Sequence, residues 1–212
     1  MNISLPNKDN VPVTSEEDPA LLYYKPFVSS FYLKRMALAI GLIDKGPKEN
    51  FLDIGYGSGI FLPELGRYSK RVFGLDNHSN AFLVKEMLNK EGRLAYLTSA
   101  DVSAMPYKEN VFDCVICLSV LEHVDNLDSC ISEIIRITRP GGQVIIGIPV
   151  DNFLMSLGFK LLGYNIRNIH KWKHRHIIDA IQKKIEIETL RKLPSFVNLD
   201  FALYIVVSCR KL

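Results

Sequence analysis

Hydrophobic and polar positions fall into two regimes that take turns along the chain. Short, largely apolar runs of strand length occupy residues 51–54, 71–75, 94–97, 112–118 and 143–148. Between them, apolar residues recur every three or four positions, the mark of helices with one buried face. One helix is expected to run on from Ser58, with Pro63 tolerated in its opening turn. A second follows Asp76, with Phe82, Leu83, Met87 and Leu88 for its buried side and Gly92 as its stop. A third buries Leu127, Ile131, Ile134 and Ile135, and the Arg139-Pro-Gly-Gly142 turn ends it and launches the next strand. Runs as apolar as 112–118 suit strands covered on both faces. Strand and helix in alternation predict an α/β protein, a doubly wound and mostly parallel sheet with helices on both faces and a ligand outside the carboxyl ends of the strands. Two further runs, 185–193 and 201–208, joined by a proline-bearing turn at 194–198, have hairpin proportions.

The most informative punctuation follows the first strand. Asp53 closes that strand, and Gly55, Gly57 and Gly59 then occupy alternate positions in Gly-Tyr-Gly-Ser-Gly. Three glycines in five residues let a ligand come close to the backbone; a plain tight turn is the other reading. The dinucleotide fingerprint places its third glycine one residue later, where this chain has Ile60. Charge argues the same way. A pyrophosphate brought within about 4 Å of Asp53 is repelled by roughly 4 kcal/mol at an effective dielectric of about 20. A cationic ligand gains there instead. Asp76 ends the second strand, placed to accept hydrogen bonds from a ribose diol, or else to cap the helix that follows.

On these residues, from about 50 to 149, the chain resembles the class I S-adenosylmethionine-dependent methyltransferases, in particular the type 11 group. The resemblance implies a seven-stranded sheet whose last strand is inserted antiparallel. It implies that Asp53, Gly55, Tyr56, Gly57 and Gly59 hold the methionine part of the cofactor, with Tyr56 larger than the residue usual there. It implies that Asp76, with Asn77 beside it, binds the ribose, and that Asp101 and the backbone of Val102 meet the adenine. Leu118 and Ser119 would fall where the fourth strand opens toward the cofactor, and the resemblance implies that Glu122 and His123 lie near the transferred methyl. His123 is the candidate catalytic residue, a general base for acceptors that must lose a proton; a packing histidine is the alternative. The implied activity is transfer of a methyl group from S-adenosyl-L-methionine to a small-molecule or lipid-like acceptor, releasing S-adenosyl-L-homocysteine. A catalytically inactive partner module that binds the same cofactor and an NAD-dependent oxidoreductase are the competing readings.

Length and charge bound the rest. At 212 residues and 48% hydrophobic content the chain can bury one substantial core, so residues 21–212 are read as one domain and residues 1–20, polar and proline-punctuated, as a flexible arm. The net charge of +3, from 26 bases against 23 acids, is too small for a nucleic-acid surface. No Asn-Pro-Pro-Tyr signature of base-amino methylation follows the fourth strand. No secretory signal or membrane-spanning run is visible, and four cysteines fit a reducing, cytoplasmic setting. Cys114 and Cys117 resemble a metal pair, but three positions apart in a strand they point to opposite faces, roughly 10 Å apart. No metal is expected. Two flanking segments are candidates for specificity. Aromatics Tyr23, Tyr24, Phe27, Phe31 and Tyr32 within residues 21–43 suit a core or a lid. Residues 151–176, apolar and then basic through 170–176, are read as an insertion over the acceptor site. That composition is compatible with a hydrophobic acceptor, a phosphate or peripheral membrane contact, and equally with packing on the sheet.

Overall fold

The computed structural model describes residues 3–15, 18–26, 28–150, 152 and 170–212. Seven strands, β1 (Lys48–Ile54), β2 (Ser69–Asp76), β3 (Tyr96–Ser99), β4 (Phe112–Leu118), β5 (Thr138–Pro149), β6 (Ile187–Leu193) and β7 (Tyr204–Arg210), form one sheet in the order β3-β2-β1-β4-β5-β7-β6. Neighbours from β3 through β5 pair in parallel, and β7 runs antiparallel to both β5 and β6. This is the doubly wound sheet with an inverted last strand that the pattern and the resemblance implied.

Helices α1 (Val28–Ile40), α2 (Leu62–Leu65), α3 (Ala81–Lys90), α4 (Leu127–Ile137) and α5 (His174–Gln182) cover the sheet. Strand alternation divides the core between its faces. Cys114, Ile116 and Ile145 pack with Met36 and Ile40 of α1 and Val84 and Met87 of α3. Val115, Cys117 and Ile146 pack with Ile131 and Ile134 of α4 and Ile177 and Ile181 of α5. Each fully buried aliphatic contributes about 1.5–3 kcal/mol. Cys114 and Cys117 thus stand in different layers and cannot meet on one ion, and both thiols are pushed far up by burial. Among the described residues no helix is long and apolar enough to cross a membrane.

Three local expectations need correction. The helix after the glycine loop is only the short α2, because Gly66 follows and the chain turns back at once to start β2. In α3 the buried side is Val84, Met87 and Leu88, while Phe82 is 65% exposed: it lies on the first turn, rotated away from the sheet. The arm expected to be flexible over 1–20 is docked in its described part. Val11 and Thr14 are buried. The Ser4 amide donates to the buried Glu64, the Asn7 amide and Asn10 Nδ2 both donate to Glu91 Oε1, and Asn80 Nδ2 donates to the Thr14 carbonyl. Of these bonds only that of Asn10 uses a side chain of the arm; the rest are made by its backbone amides and a carbonyl, which composition does not report.

Candidate active site

The sheet order reverses at β1, which has β2 on one side and β4 on the other. The carboxyl ends of these strands therefore open into one crevice. All three loop glycines are left-handed, at φ 76° for Gly55, 51° for Gly57 and 76° for Gly59, a conformation that L side chains resist. Their surroundings differ. A Cβ on Gly55 would run into Val120 and one on Gly59 into Val84, whereas a Cβ on Gly57 would have nothing nearer than Asp18 Oδ1 at 3.9 Å. Gly55 and Gly59 allow the protein to pack on itself; of the three, Gly57 faces open space.

Two acids flank the loop. Asp76 accepts from the Gly57 amide at 2.8 Å through Oδ2 and from the Asn77 amide at 2.8 Å through Oδ1, so loop and second strand are tied together. His78 closes the same corner, its Nε2 lying 2.9 Å from the Gly57 carbonyl oxygen. Asp53 is buried, and burial, then the nearby Asp76, push its carboxyl well above the ordinary range. A cation beside it would favour its ionised form. The Tyr56 side chain turns away from the crevice and packs over Gly74, edge-on to His78, so Tyr56 presents only backbone to the loop. Beyond β3, exposed Asp101 accepts from the Ser103 amide at 2.6 Å, and hydrogen bonding to Ser103 holds its carboxyl below the ordinary range. Val102 is buried in the core.

At the end of β4, Leu118 is half-buried and Ser119 takes φ 58°, strained for a residue with a side chain. Ser119 Oγ lies 2.9 Å from the Tyr204 hydroxyl and accepts from Arg35 Nη1 at 3.3 Å. Arg35 Nη2 donates to the Tyr23 hydroxyl at 3.2 Å, and its guanidinium lies 4.4 Å from the Tyr32 ring centre and 4.9 Å from that of Tyr204. Burial opposes its charge, but the oxygens of Tyr23, Tyr204 and Tyr32 hold it above its ordinary value. The aromatics at 23, 31 and 32 thus form part of a cage, Tyr24 reaches the Pro6 carbonyl instead, and Phe27 lies outside the described residues.

Glu122 is buried, and its backbone carbonyl accepts from the amides of Lys171 and Trp172, fastening residues 170–172 across the turn after β4. Glu122 Oε1 lies 3.8 Å from His123 Nε2, and the rings of His123 and His170 are 5.1 Å apart. One ligand atom from each of Glu122, His123 and His170 falls within 4.8 Å of the others. A carboxylate and two imidazoles can hold a proton between them; the same set also suits a divalent cation, which the sequence reading did not expect. Within the basic run, Lys171 pairs with Asp125 and both His174 and Arg175 pair with Asp200. Residues 151 and 153–169 of the expected insertion lie outside the described residues.

Arg35, His78 and Tyr204 were not singled out in the sequence, and His170 entered only as the start of the basic run. The available signal was an arginine following the aromatics of α1, a helix that also carries two serines and Lys34.

A family model described as a methyltransferase domain matches residues 52–146, the span from β1 to β5. The chain carries a class I, S-adenosylmethionine-dependent methyltransferase domain. Over 198 residues this methyltransferase is 26% identical to the ubiquinone/menaquinone biosynthesis C-methyltransferase UbiE of Hydrogenovibrio crunogenus, a match covering 85% of the chain and 78% of the relative. Its fold is similar to that of the N-methyltransferase NodS of Bradyrhizobium japonicum, solved with S-adenosyl-L-homocysteine, at TM-score 0.67 and 18% identity over 94% of each chain. It is as similar in fold to the [4+2]-cyclase SpnF, at TM-score 0.67 and 15% identity over 84% of the chain and 80% of SpnF. Likeness at these identities speaks for the fold alone.

Proposed function

We propose that this methyltransferase moves the methyl group of S-adenosyl-L-methionine to a small, lipid-like acceptor in the cytoplasm, with the cofactor lying across Gly57 and the acceptor meeting it beyond β4. The buried Asp53, high in pKa beside an open glycine, carries the reading, because that combination fits a ligand bearing positive charge and disfavours a pyrophosphate. When bound, the cofactor supplies an electrophilic methyl on a sulfonium, which leaves the protein the tasks of alignment and water exclusion. Asp76, already fixed by two amides, keeps lone pairs for the ribose hydroxyls, with Asn77 at the rim. Asp101, held ionised by Ser103, accepts from the adenine amino group, and the Val102 backbone meets the ring. Gly55, Tyr56 and Gly59 contribute backbone, while Leu118 and Ser119 floor the methionine end.

His123 is the proton acceptor. Its side chain is 38% exposed and backed by the buried Glu122, an arrangement that favours the imidazolium formed when an oxygen, nitrogen or carbon acid loses its proton. The name of the UbiE relative supports a quinone-like acceptor. Calorimetry with S-adenosyl-L-homocysteine, then labelled-methyl transfer to lipid-soluble quinol precursors, tests the proposal. Binding with transfer into the lipid-soluble fraction is expected, and absence of binding overturns it.

A further inference from the structure

Gly57 is open to a ligand and for the same reason poorly held by packing. Nothing stands nearer than Asp18 Oδ1, at 3.9 Å, to where its Cβ would be, and glycine passes between positive and negative φ almost freely. It also occupies the adaptable position of a turn. The Gly59 amide donates to the Tyr56 carbonyl at 2.8 Å, closing a turn from Tyr56 to Gly59 in which Gly57, at φ 51°, is the second residue. Such turns come in two forms that share this hydrogen bond and differ by a half-rotation of the central peptide. Here that peptide joins Gly57 to Ser58, and the closing bond does not fix which way its carbonyl points.

Two side chains fix it. Asp76 Oδ2 accepts from the Gly57 amide at 2.8 Å and so holds the peptide before the glycine. His78 Nε2 lies 2.9 Å from the Gly57 carbonyl oxygen, in the peptide after it. The other ring nitrogen, Nδ1, accepts from the Asn80 amide at 3.1 Å. An acceptor at Nδ1 leaves the proton of a neutral imidazole on Nε2, which is the donor that the Gly57 carbonyl needs, so both contacts require the same tautomer. The ring is itself held. Its side chain is 10% exposed, it meets Tyr56 edge-on, and the His78 carbonyl accepts from Ser99 Oγ at 3.0 Å, which ties the residue to β3. Nε2 is also 3.9 Å from Asp76 Oδ2, so the two clamps stand side by side.

Resting on the cofactor reading above, we infer that His78 is a positioning residue for cofactor binding, which as the Nε2–H tautomer locks the central peptide of the Tyr56–Gly59 turn. Asp76 and His78 then hold consecutive peptides of the loop, one by its N–H and one by its C=O, and the Gly57 surface is set before the ligand arrives. The role needs a donor at the far end of the ring. The contact with Asn80 serves to place that donor and to anchor the start of α3.

The test separates the two ends of the ring. In His78→Gln the side-chain amide nitrogen reaches the place of Nε2 and keeps a donor for Gly57, whereas in His78→Asn the shorter amide keeps only an acceptor for Asn80. Calorimetry with S-adenosyl-L-homocysteine and thermal melting are run on wild type and both variants. Affinity is expected to fall about tenfold or more in His78→Asn and less than about threefold in His78→Gln, although His78→Gln gives up the bond at the start of α3 and melts no higher than His78→Asn. Affinity that instead follows melting temperature, or that is unchanged in His78→Asn, overturns the inference. Nitrogen NMR of ring-labelled wild type above neutral pH, with the His78 ring assigned from its own backbone, needs no variant. The Nε2–H tautomer is expected in the free protein and in the complex; the Nδ1–H form or the imidazolium in the free protein overturns the inference. A wild-type protein that binds no S-adenosyl-L-homocysteine overturns the cofactor reading itself, and the positioning role with it.

Discussion

The two halves of the crevice are built differently. On the β1–β3 side, Asp53, Gly57, Asp76 and Asp101 all sit within a few residues of a strand end, and backbone amides orient their carboxylates where contacts are made. On the β4–β7 side the groups come from distant parts of the chain. Arg35 lies 84 residues from Ser119, which lies 85 from Tyr204, and His170 reaches Glu122 and His123 only because residues 170–172 are fastened over them. The first side is built from short local motifs; the second is assembled by tertiary packing and can change with the helices that bring it together.

The sharpest way to break that contrast is to compare two glycines. Gly57→Val should lower S-adenosyl-L-homocysteine affinity on the order of a hundredfold or more, with a modest loss of melting temperature, since left-handed strain costs about 1–3 kcal/mol and the added side chain points into the open crevice. Gly55→Val should instead destabilise the whole fold, because its side chain meets Val120. Equal effects on binding and melting for both would erase the distinction between ligand-facing and packing glycines.

Much of the first half was legible in advance for a physical reason. Strand ends, alternating glycines and the acids beside them are local, so spacing alone locates them. The second half was hidden because an arginine on an amphipathic helix ordinarily reads as solvated, and nothing local ties it to a serine at the end of a strand far downstream. Tyr56 shows the limit within the legible half. Its place in the loop was right, yet a side chain of that size finds its room in the core over Gly74. The docked arm at 3–15 was hidden likewise, since composition reports how polar a segment is and not which carboxylates await it.

The next largest effect belongs to the β4 side. His123→Ala should reduce turnover about a hundredfold or more and remove the acidic limb of the pH–rate profile, with cofactor affinity unchanged; turnover at the wild-type level reduces His123 to a packing residue. The same assay run after exhaustive dialysis against a chelator separates proton transfer from metal binding at Glu122, His123 and His170, with turnover retained if the pair works directly. On the other side, Asp76→Ala should weaken S-adenosyl-L-homocysteine by about 1–3 kcal/mol, because the ribose loses its acceptor and the Gly57 amide its anchor. Unchanged calorimetric affinity would remove Asp76 from the site.

The smallest effect is a slope. Because Asp53 is raised by burial and by Asp76, the folded chain keeps a proton there that the unfolded chain has lost. Stability of the ligand-free protein therefore falls as pH climbs from about 4 toward the raised value. A ligand cation that requires the ionised acid must bind more tightly over the same interval, by at most about tenfold per pH unit, and level off above it. Affinities measured from pH 5 to 8 should show that rise in wild type and none in Asp53→Asn.

The placement of β7 between β5 and β6 has a consequence for synthesis. A nascent chain halted before residue 204 already owns the glycine loop, Asp53, Asp76 and Asp101, yet β6 has no neighbour to join and Arg35 lacks one wall of its cage. Emergence of β7 from the ribosome therefore both joins β6 to β5 and closes the cage around Arg35, so that the β4 side of the crevice is assembled after the β1–β3 side.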